Sequence, residues 1–291
     1  MATANITVIG SLNIDHIFFV DRLPNLGESY EAKRYEKALG GKGANAAIAA
    51  YRSCHKQSES EPGEKPGTDI HVRMVGAVGE DLDGTWMRRT IGEAMVDVEG
   101  VKTVKGITGM TFIIVEELED DDEDARDNRL IYTIGANATL KPAQFTEVEG
   151  LSNGTRPDLI ISQLEISLET VETILKTAHK ADIKVLLNAA PANVILPELY
   201  RYITHLLVNE TEAAGLYGCV DVEEVKESWA DIAKFFLDAG VENFVITLGA
   251  KGAFYARYGV TPSGSVDPKQ IISGHVEAFH VDHVIDPTGA G

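Results

Sequence analysis

Cysteine is scarce in this 291-residue chain, with only Cys54 and Cys219 present. Two such residues build no disulfide framework, and neither has the Cys-x-x-Cys spacing or His-rich company of a zinc site. A reducing compartment is expected. Long apolar runs are also missing: no stretch approaches the ~18 residues that a bilayer-spanning helix needs. The N-terminal Met1 to Asn5 has no basic segment followed by an apolar one, so no secretory leader is expected. Basic charge is in short supply, with 26 Lys and Arg against 45 Asp and Glu, a net charge of −19. That balance argues against a nucleic-acid backbone or an anionic membrane as partner, since both demand a basic face. A soluble, cytoplasmic protein with a small-molecule ligand is expected, with the nucleus left open.

What is there is a core-forming composition, 44% apolar, long enough for one large α/β domain or two small ones. Ile6 to Ile9 is a β-branched run ending at Gly10, as in a buried strand. Asn13 and Asp15 alternate just beyond it. At the C-terminal edge of a parallel strand they would enter the crevice where open α/β sheets bind ligands, or else satisfy turn backbone. Phe18 to Val20 and Ser29 to Tyr35 flank Pro24-Asn25-Leu26-Gly27 and read as two strands of a flap projecting from the main sheet.

Gly40-Gly41-Lys42-Gly43-Ala44-Asn45 opens an alanine-rich helical run. Glycines allow a ligand to touch backbone, and Lys42 and Asn45 supply donors; tight helix packing is the plainer explanation of the glycines. Lys56 to Thr68 reads as a loop insertion. Strand Val72 to Val78, helix Leu82 to Ala94 and strand Val101 to Val104 follow. Thr111 to Val115 and Leu130 to Thr133 form a hairpin of the flap, whose tip, Glu116 to Asp127, holds nine carboxylates and reads as a solvated loop.

From Leu159 the alternation is regular: strand Leu159 to Ser162, helix Leu168 to Ala181, then strands Lys184 to Asn188 and Leu206 to Val208. Polar groups close these strands at Gln163-Leu164-Glu165, Asn188 and Asn209-Glu210-Thr211-Glu212. A helix is expected from Asp221, three residues before Glu224 in a capping-box pattern, to about Ala239. Asn243 to Leu248 is a strand ending at Gly249-Ala250-Lys251-Gly252, and Ala253 to Tyr258 returns. Thr261 to Gln270 reads as a loop, and Val276 to Ile285 as the last strand material. The chain closes on Asp286-Pro287-Thr288-Gly289-Ala290-Gly291, a turn whose backbone NH groups would cradle an anion, or else an ordinary turn. Repeated βα units imply a doubly wound, mainly parallel sheet with helices on both faces and a small β-flap lid built from about 15–35 and 108–135.

Taken together, Gly10 to Asp15, Gly40 to Asn45, Gln163 to Glu165, Asn209 to Glu212, Thr247 to Gly252 and Asp286 to Gly291 resemble the ribokinase-like, or PfkB-type, carbohydrate kinase family. The six motifs occur in the family's order across essentially the whole chain, which then reads as one domain over 1–291. The resemblance implies that Asn13, Asp15, Gly41, Lys42, Gly43, Ala44, Asn45 and Glu165 surround a sugar. It implies a nucleotide site at Asn209, Thr247, Leu248, Gly249, Ala250, Lys251, Gly252 and Gly291. Glu212 matches the acidic residue associated with Mg2+, through water, and Asp286 with Thr288 matches a K+ site.

The implied reaction is in-line transfer of the ATP γ-phosphoryl group to a primary hydroxyl, with Gly289, Ala290 and Gly291 holding phosphate oxygens. Homodimerisation through the flap is also implied. Two departures stand out. Pro287 occupies a position that is usually Thr, which removes an NH and restrains Asp286 to an extended conformation. The family's general base is an Asp immediately after the residue matching Gly291, heading a helix. The 291 residues are therefore expected to form a C-terminally incomplete domain, a very poor kinase with some apolar sheet surface left uncovered. Two other readings remain: a kinase for another sugar or a nucleoside, and a non-catalytic sugar or nucleotide sensor. A dinucleotide-binding oxidoreductase fails, because no GxGxxG follows the first strand.

Overall fold

A computed structural model describes residues 3–55, 70–117, 128–219, 228–260 and 266–279. Seven parallel strands make up most of a nine-stranded sheet: β1 (Ala4–Ile9), β4 (Ile70–Gly79), β5 (Asp97–Val104), β8 (Leu159–Gln163), β9 (Lys184–Asn188), β10 (His205–Asn209) and β11 (Asn243–Thr247). Two antiparallel strands, β12 (Ala253–Val260) and β13 (Val266–Val276), extend one edge, giving the order β13-β12-β11-β10-β9-β8-β1-β4-β5. Strand alternation sends neighbouring side chains to opposite faces. Ile9, Val75, Ile160, Val185, Leu206 and Phe244 face one core, and Val8, Val72, Met74 and Val78 face the other.

The first core is covered by the short α3 (Val148–Leu151), α4 (Leu168–Lys180), α5 (Glu210–Tyr217) and α6 (Trp229–Asp238), which contribute residues such as Leu151, Ile174, Ala213 and Phe236. The second is covered by α1 (Lys42–Cys54) and α2 (Leu82–Glu93), through Ala44, Ala47, Met87 and Ile91. Helices thus lie on both faces of a mainly parallel sheet, as expected. On the face of α1, beyond β8, Leu186, Leu207 and Val245 are only half-buried and Tyr255 is exposed.

The lid is a separate four-stranded sheet in the order β3-β2-β6-β7: β2 (Asn13–Val20), β3 (Arg34–Gly40), β6 (Gly109–Glu116) and β7 (Asn128–Thr133). Its first two strands start and end nearer the core than the 15–35 bounds suggest, whereas β6 and β7 fall within 108–135. Asn13 and Asp15 belong to β2 of the lid rather than to the edge of β1. The second strand of the first hairpin is Arg34–Gly40, not Ser29 to Tyr35, because it pairs residue by residue with β2 from Phe19↔Arg34 to Asn13↔Gly40.

Two other expectations change, and one helix was not anticipated. Glu210–Tyr217 is a helix: its run of carboxylates occupies the first turn, where a helix N-terminus favours negative charge. Thr261 to Gln270 is not wholly loop, since β13 begins at Val266 and pairs with β12. Strand β13 extends only to Val276 and Glu277 to Phe279 lie outside any strand, while 280–285 fall outside the described residues. The Lys56 to Thr68 insertion, acidic residues 118–127, the helix start at Asp221 and the Asp286 to Gly291 motif lie outside the described residues. Of the acidic run, Glu117 pairs with Arg34 at 3.3 Å. Among the described residues no helix is long and apolar enough to cross a membrane.

Candidate active site

The site lies along the C-terminal edge of the parallel strands, where polar residues terminate an otherwise apolar sheet. The turn after β1 meets the start of α1 at backbone level. Ala44 N–H donates to the Ser11 carbonyl at 3.1 Å, and Gly43 N–H donates to the Ser11 hydroxyl at 3.3 Å. Gly43 permits this approach: a Cβ there would come 2.5 Å from the Ser11 carbonyl oxygen and 2.7 Å from the carbonyl carbon of Gly10. Close helix–strand contact and ligand access to backbone are therefore consequences of the same missing side chain.

Glu165, just beyond β8, joins this turn. Its Oε2 accepts from the Ser11 hydroxyl at 2.5 Å and from Lys42 N–H at 2.9 Å, at the first residue of α1. Asp15 reaches the same cluster from the lid. Burial pushes its carboxyl above the ordinary range; the Thr111 hydroxyl bonded to it opposes that rise and the charge of Glu165 adds to it. Asn13 is buried, Lys42 and Gly41 are half-buried, Gly43 and Ala44 are buried, and Asn45 is exposed. The cluster presents donors and acceptors on every side, which suits a polyhydroxyl ligand better than an apolar one. Ser11 and Thr111 were missed as site residues by sequence reasoning. Ser11 had a usable signal in its place within the Gly10 to Asp15 motif, whereas Thr111 reaches Asp15 only through strand pairing.

Asn209 and Glu212 occupy the neighbouring strand end. Asn209 caps α5, with its Oδ1 accepting from Glu212 N–H at 2.8 Å while Glu212 Oε2 accepts from Asn209 N–H at 2.9 Å. This reciprocal capping box gives both residues a structural role. Burial pushes the Glu212 carboxyl up, against the Asn209 N–H bond and the charge of Lys42. Among the described residues no group of three or more His, Cys, Asp and Glu is arranged to hold a metal ion. Glu212 commits one oxygen, Oε2, to the cap, and a single carboxylate of this kind fits an outer-shell acceptor for metal-bound water rather than a full cage.

Thr247 ends β11, adjacent to Asn209 in register. Gly249–Lys251 forms a single 3-10 turn, closed by Leu248 N–H to the Gly252 carbonyl at 2.8 Å. Gly252 has φ 90° and ψ −129°, a conformation open only to glycine, and a Cβ there would lie 2.0 Å from the Val276 carbonyl oxygen. Leu248 is buried, and Ala250 and Lys251 are exposed on the turn. The motifs expected to meet sugar and nucleotide thus lie along one sheet edge, in the order β1, β8, β10 and β11, with the lid strands continuing from the first. Asp286, Thr288, Gly289, Ala290 and Gly291 lie outside the described residues.

Residues 3–291 match the family described as pfkB family carbohydrate kinase. The chain belongs to that family of kinases. A ribokinase of Haemophilus influenzae is 34% identical over 255 residues, spanning 87% of this chain and 75% of the relative. A ribokinase of Schizosaccharomyces pombe is 36% identical over 255 residues, 86% of this chain and 74% of the relative. Among solved structures, a ribokinase from Cryptococcus neoformans in complex with ADP superposes with a TM-score of 0.67 at 25% identity, covering 99% of this chain and 83% of that one. The fold and enzyme class expected from the six motifs are therefore those of the family, a phosphotransferase.

Proposed function

We propose that the protein transfers the γ-phosphoryl group of ATP to a hydroxyl of a small free sugar, D-ribose, giving ribose 5-phosphate. The observation that carries this reading is the Ser11–Glu165–Lys42 clamp, which supports a hydroxyl-binding cradle beside a glycine turn at β11. The ribokinase relatives support ribose as acceptor, and the ADP complex of a similar fold supports the nucleotide.

In this reading Asn13, Asp15 and Glu165 orient the sugar through its hydroxyls. The Thr247 to Gly252 turn receives the nucleotide. Bound Mg2+ would neutralise phosphate charge, with Glu212 holding one of its waters. The charge of Lys42, which acts on Glu212, would help to stabilise charge on the transferring group. Asp286 and Thr288 are assigned to K+, and Gly289 to Gly291 to the anion hole, by their resemblance alone.

A homodimer through the lid belongs to the same reading. The lid edge strand β7 exposes Leu130, Ile131 and Tyr132, at 60%, 70% and 74%, and unpaired apolar edges seek partners. Light scattering is expected to give a dimer for the parent and a monomer for Ile131→Lys with Tyr132→Lys; a monomeric parent overturns the interface.

Binding is the primary readout. Calorimetry is expected to show ribose binding ahead of fructose, deoxyribose and adenosine. Turnover is then measured with Mg2+ and K+ on the protein extended by the family's following segment. Preference for adenosine would replace ribose with a nucleoside, and ribose binding without turnover in the extended protein would favour a sensor.

A further inference from the structure

The main chain passes between the large sheet and the lid at four places: Ser11 to Asn13, Gly40 to Gly41, Lys105 to Gly109, and Ile134 to Gly135. One buried side chain touches three of them. Asn137, on the 3-10 turn Gly135–Thr139, is 2% exposed. Its Oδ1 accepts from Leu12 N–H at 2.8 Å, and its Nδ2 donates to the Leu12 carbonyl at 3.1 Å and the Ile134 carbonyl at 3.0 Å. Nδ2 also donates to Asn13 Oδ1 at 2.8 Å. At the third crossing, Gly109 lies against both amides: a Cβ there would come 2.3 Å from Asn13 Oδ1 and 2.4 Å from Asn137 Nδ2.

This network fixes the orientation of both amides. The Asn137 atom facing Leu12 N–H must be oxygen, and the one facing two carbonyls must be nitrogen. The Asn13 atom that meets this nitrogen must then be oxygen, so the Asn13 NH2 is left facing away from Asn137. A free Asn side chain could offer either end to a hydroxyl. Here only the donor end is left.

We propose that Asn137 is a positioning residue that locks the Asn13 carboxamide with its NH2 toward the substrate, so that the site selects a sugar oxygen able to accept a hydrogen bond there. The inference rests on the sugar-kinase reading above. Asn137 does not touch the sugar; it acts through Asn13, and it ties that choice to the lid, because the same amide holds β2 and the end of β7 together.

Calorimetry on the full chain separates this role from a purely structural one. Asn137→Ala is expected to weaken ribose binding about tenfold while ADP affinity stays within about twofold, values on the scale of one lost hydrogen bond. On an Asn13→Ala background the same change is expected to cost nothing further. Equal losses for both ligands, or additive losses in the double variant, overturn the proposal. Asn13→Asp keeps an acceptor for Asn137 but removes the donor, and is expected to fold normally and lose ribose affinity; parental affinity overturns the proposal. A ligand-free arm uses side-chain amide NMR. Asn13 is expected to give one sharp NH2 pair in the parent and a broadened or doubled pair in Asn137→Ala, and an unchanged pair overturns the lock. If ADP binds and no sugar does, the sugar reading fails while the NMR arm still decides the lock.

Discussion

Ser11 and Glu165, 154 residues apart in sequence, are joined by a 2.5 Å hydrogen bond from the serine hydroxyl to the carboxylate. The same carboxylate oxygen accepts from Lys42 N–H, so the end of β1, the end of β8 and the start of α1 meet at one atom. Ser11→Ala removes that donor and the acceptor for Gly43 N–H. Ribose affinity is expected to fall about tenfold, near 1.4 kcal/mol, as for loss of a hydrogen bond to a charged group. Calorimetry checks it, and a parental dissociation constant would show that Glu165 needs no such support.

Packing at Gly43 leaves no room for even a methyl group. Gly43→Ala would set a Cβ against the backbone of Gly10 and Ser11, where no flexible side chain can yield. The substitution is expected to destabilise by about 1–3 kcal/mol or more through overpacking. Urea unfolding measures this, and a shift below about 0.5 kcal/mol, the scale of an ordinary surface change, would contradict the contact.

Acidification is expected to release the sugar sooner than for an ordinary aspartate. Burial raises the Asp15 carboxyl above its usual 3.8. Its carboxylate accepts sugar hydroxyls in the proposed site, so affinity is present above the raised value and is lost as pH falls through it. Ribose titrations from pH 7 downward should show this loss with a midpoint above 3.8, and Asp15→Asn should remove the pH dependence. A midpoint at or below that value counts against the role of burial.

Glu212 separates capping from charge. Its folded-state carboxyl is raised above 4.5, mainly by burial, so the folded protein binds a proton more tightly than the unfolded chain. Stability from this group therefore declines as pH rises from 4.5 through the folded value, and the buried charge remains a cost at neutral pH. Glu212→Gln keeps an oxygen for Asn209 N–H and removes that charge. At pH 7 it is expected to be at least as stable as the parent, whereas Glu212→Ala loses the cap and about 1 kcal/mol. Thermal unfolding compares them; equal losses in the two variants would show that the charge itself is stabilising. The dependence of nucleotide affinity on Mg2+ should weaken in Glu212→Gln if the carboxylate holds a metal-bound water.

The strand and helix order was legible because the signals are local. β-branched runs such as Ile6 to Ile9, the alanine-rich stretch after Lys42 and glycines after strand ends declare their elements without knowledge of neighbours. The extent of β3 was not legible, since Tyr35 to Gly40 is held by pairing with β2 rather than by an apolar pattern. The helix Glu210–Tyr217 was not anticipated, because its capping box depends on where Asn209 leaves the sheet.

By itself, the sequence determined a parallel α/β architecture, the six glycine-rich and polar motifs and their order, because each depends on residues within a few positions of one another. Tertiary structure alone decided that Asp15 approaches from a lid strand, that Thr111 is bonded to it, that Ser11 and Lys42 share one oxygen of Glu165, and that Asn137 orients Asn13. These are contacts between segments more than 30 residues apart. Sheet order and strand register set them, and hydrogen-bond geometry is satisfied only once those segments have met.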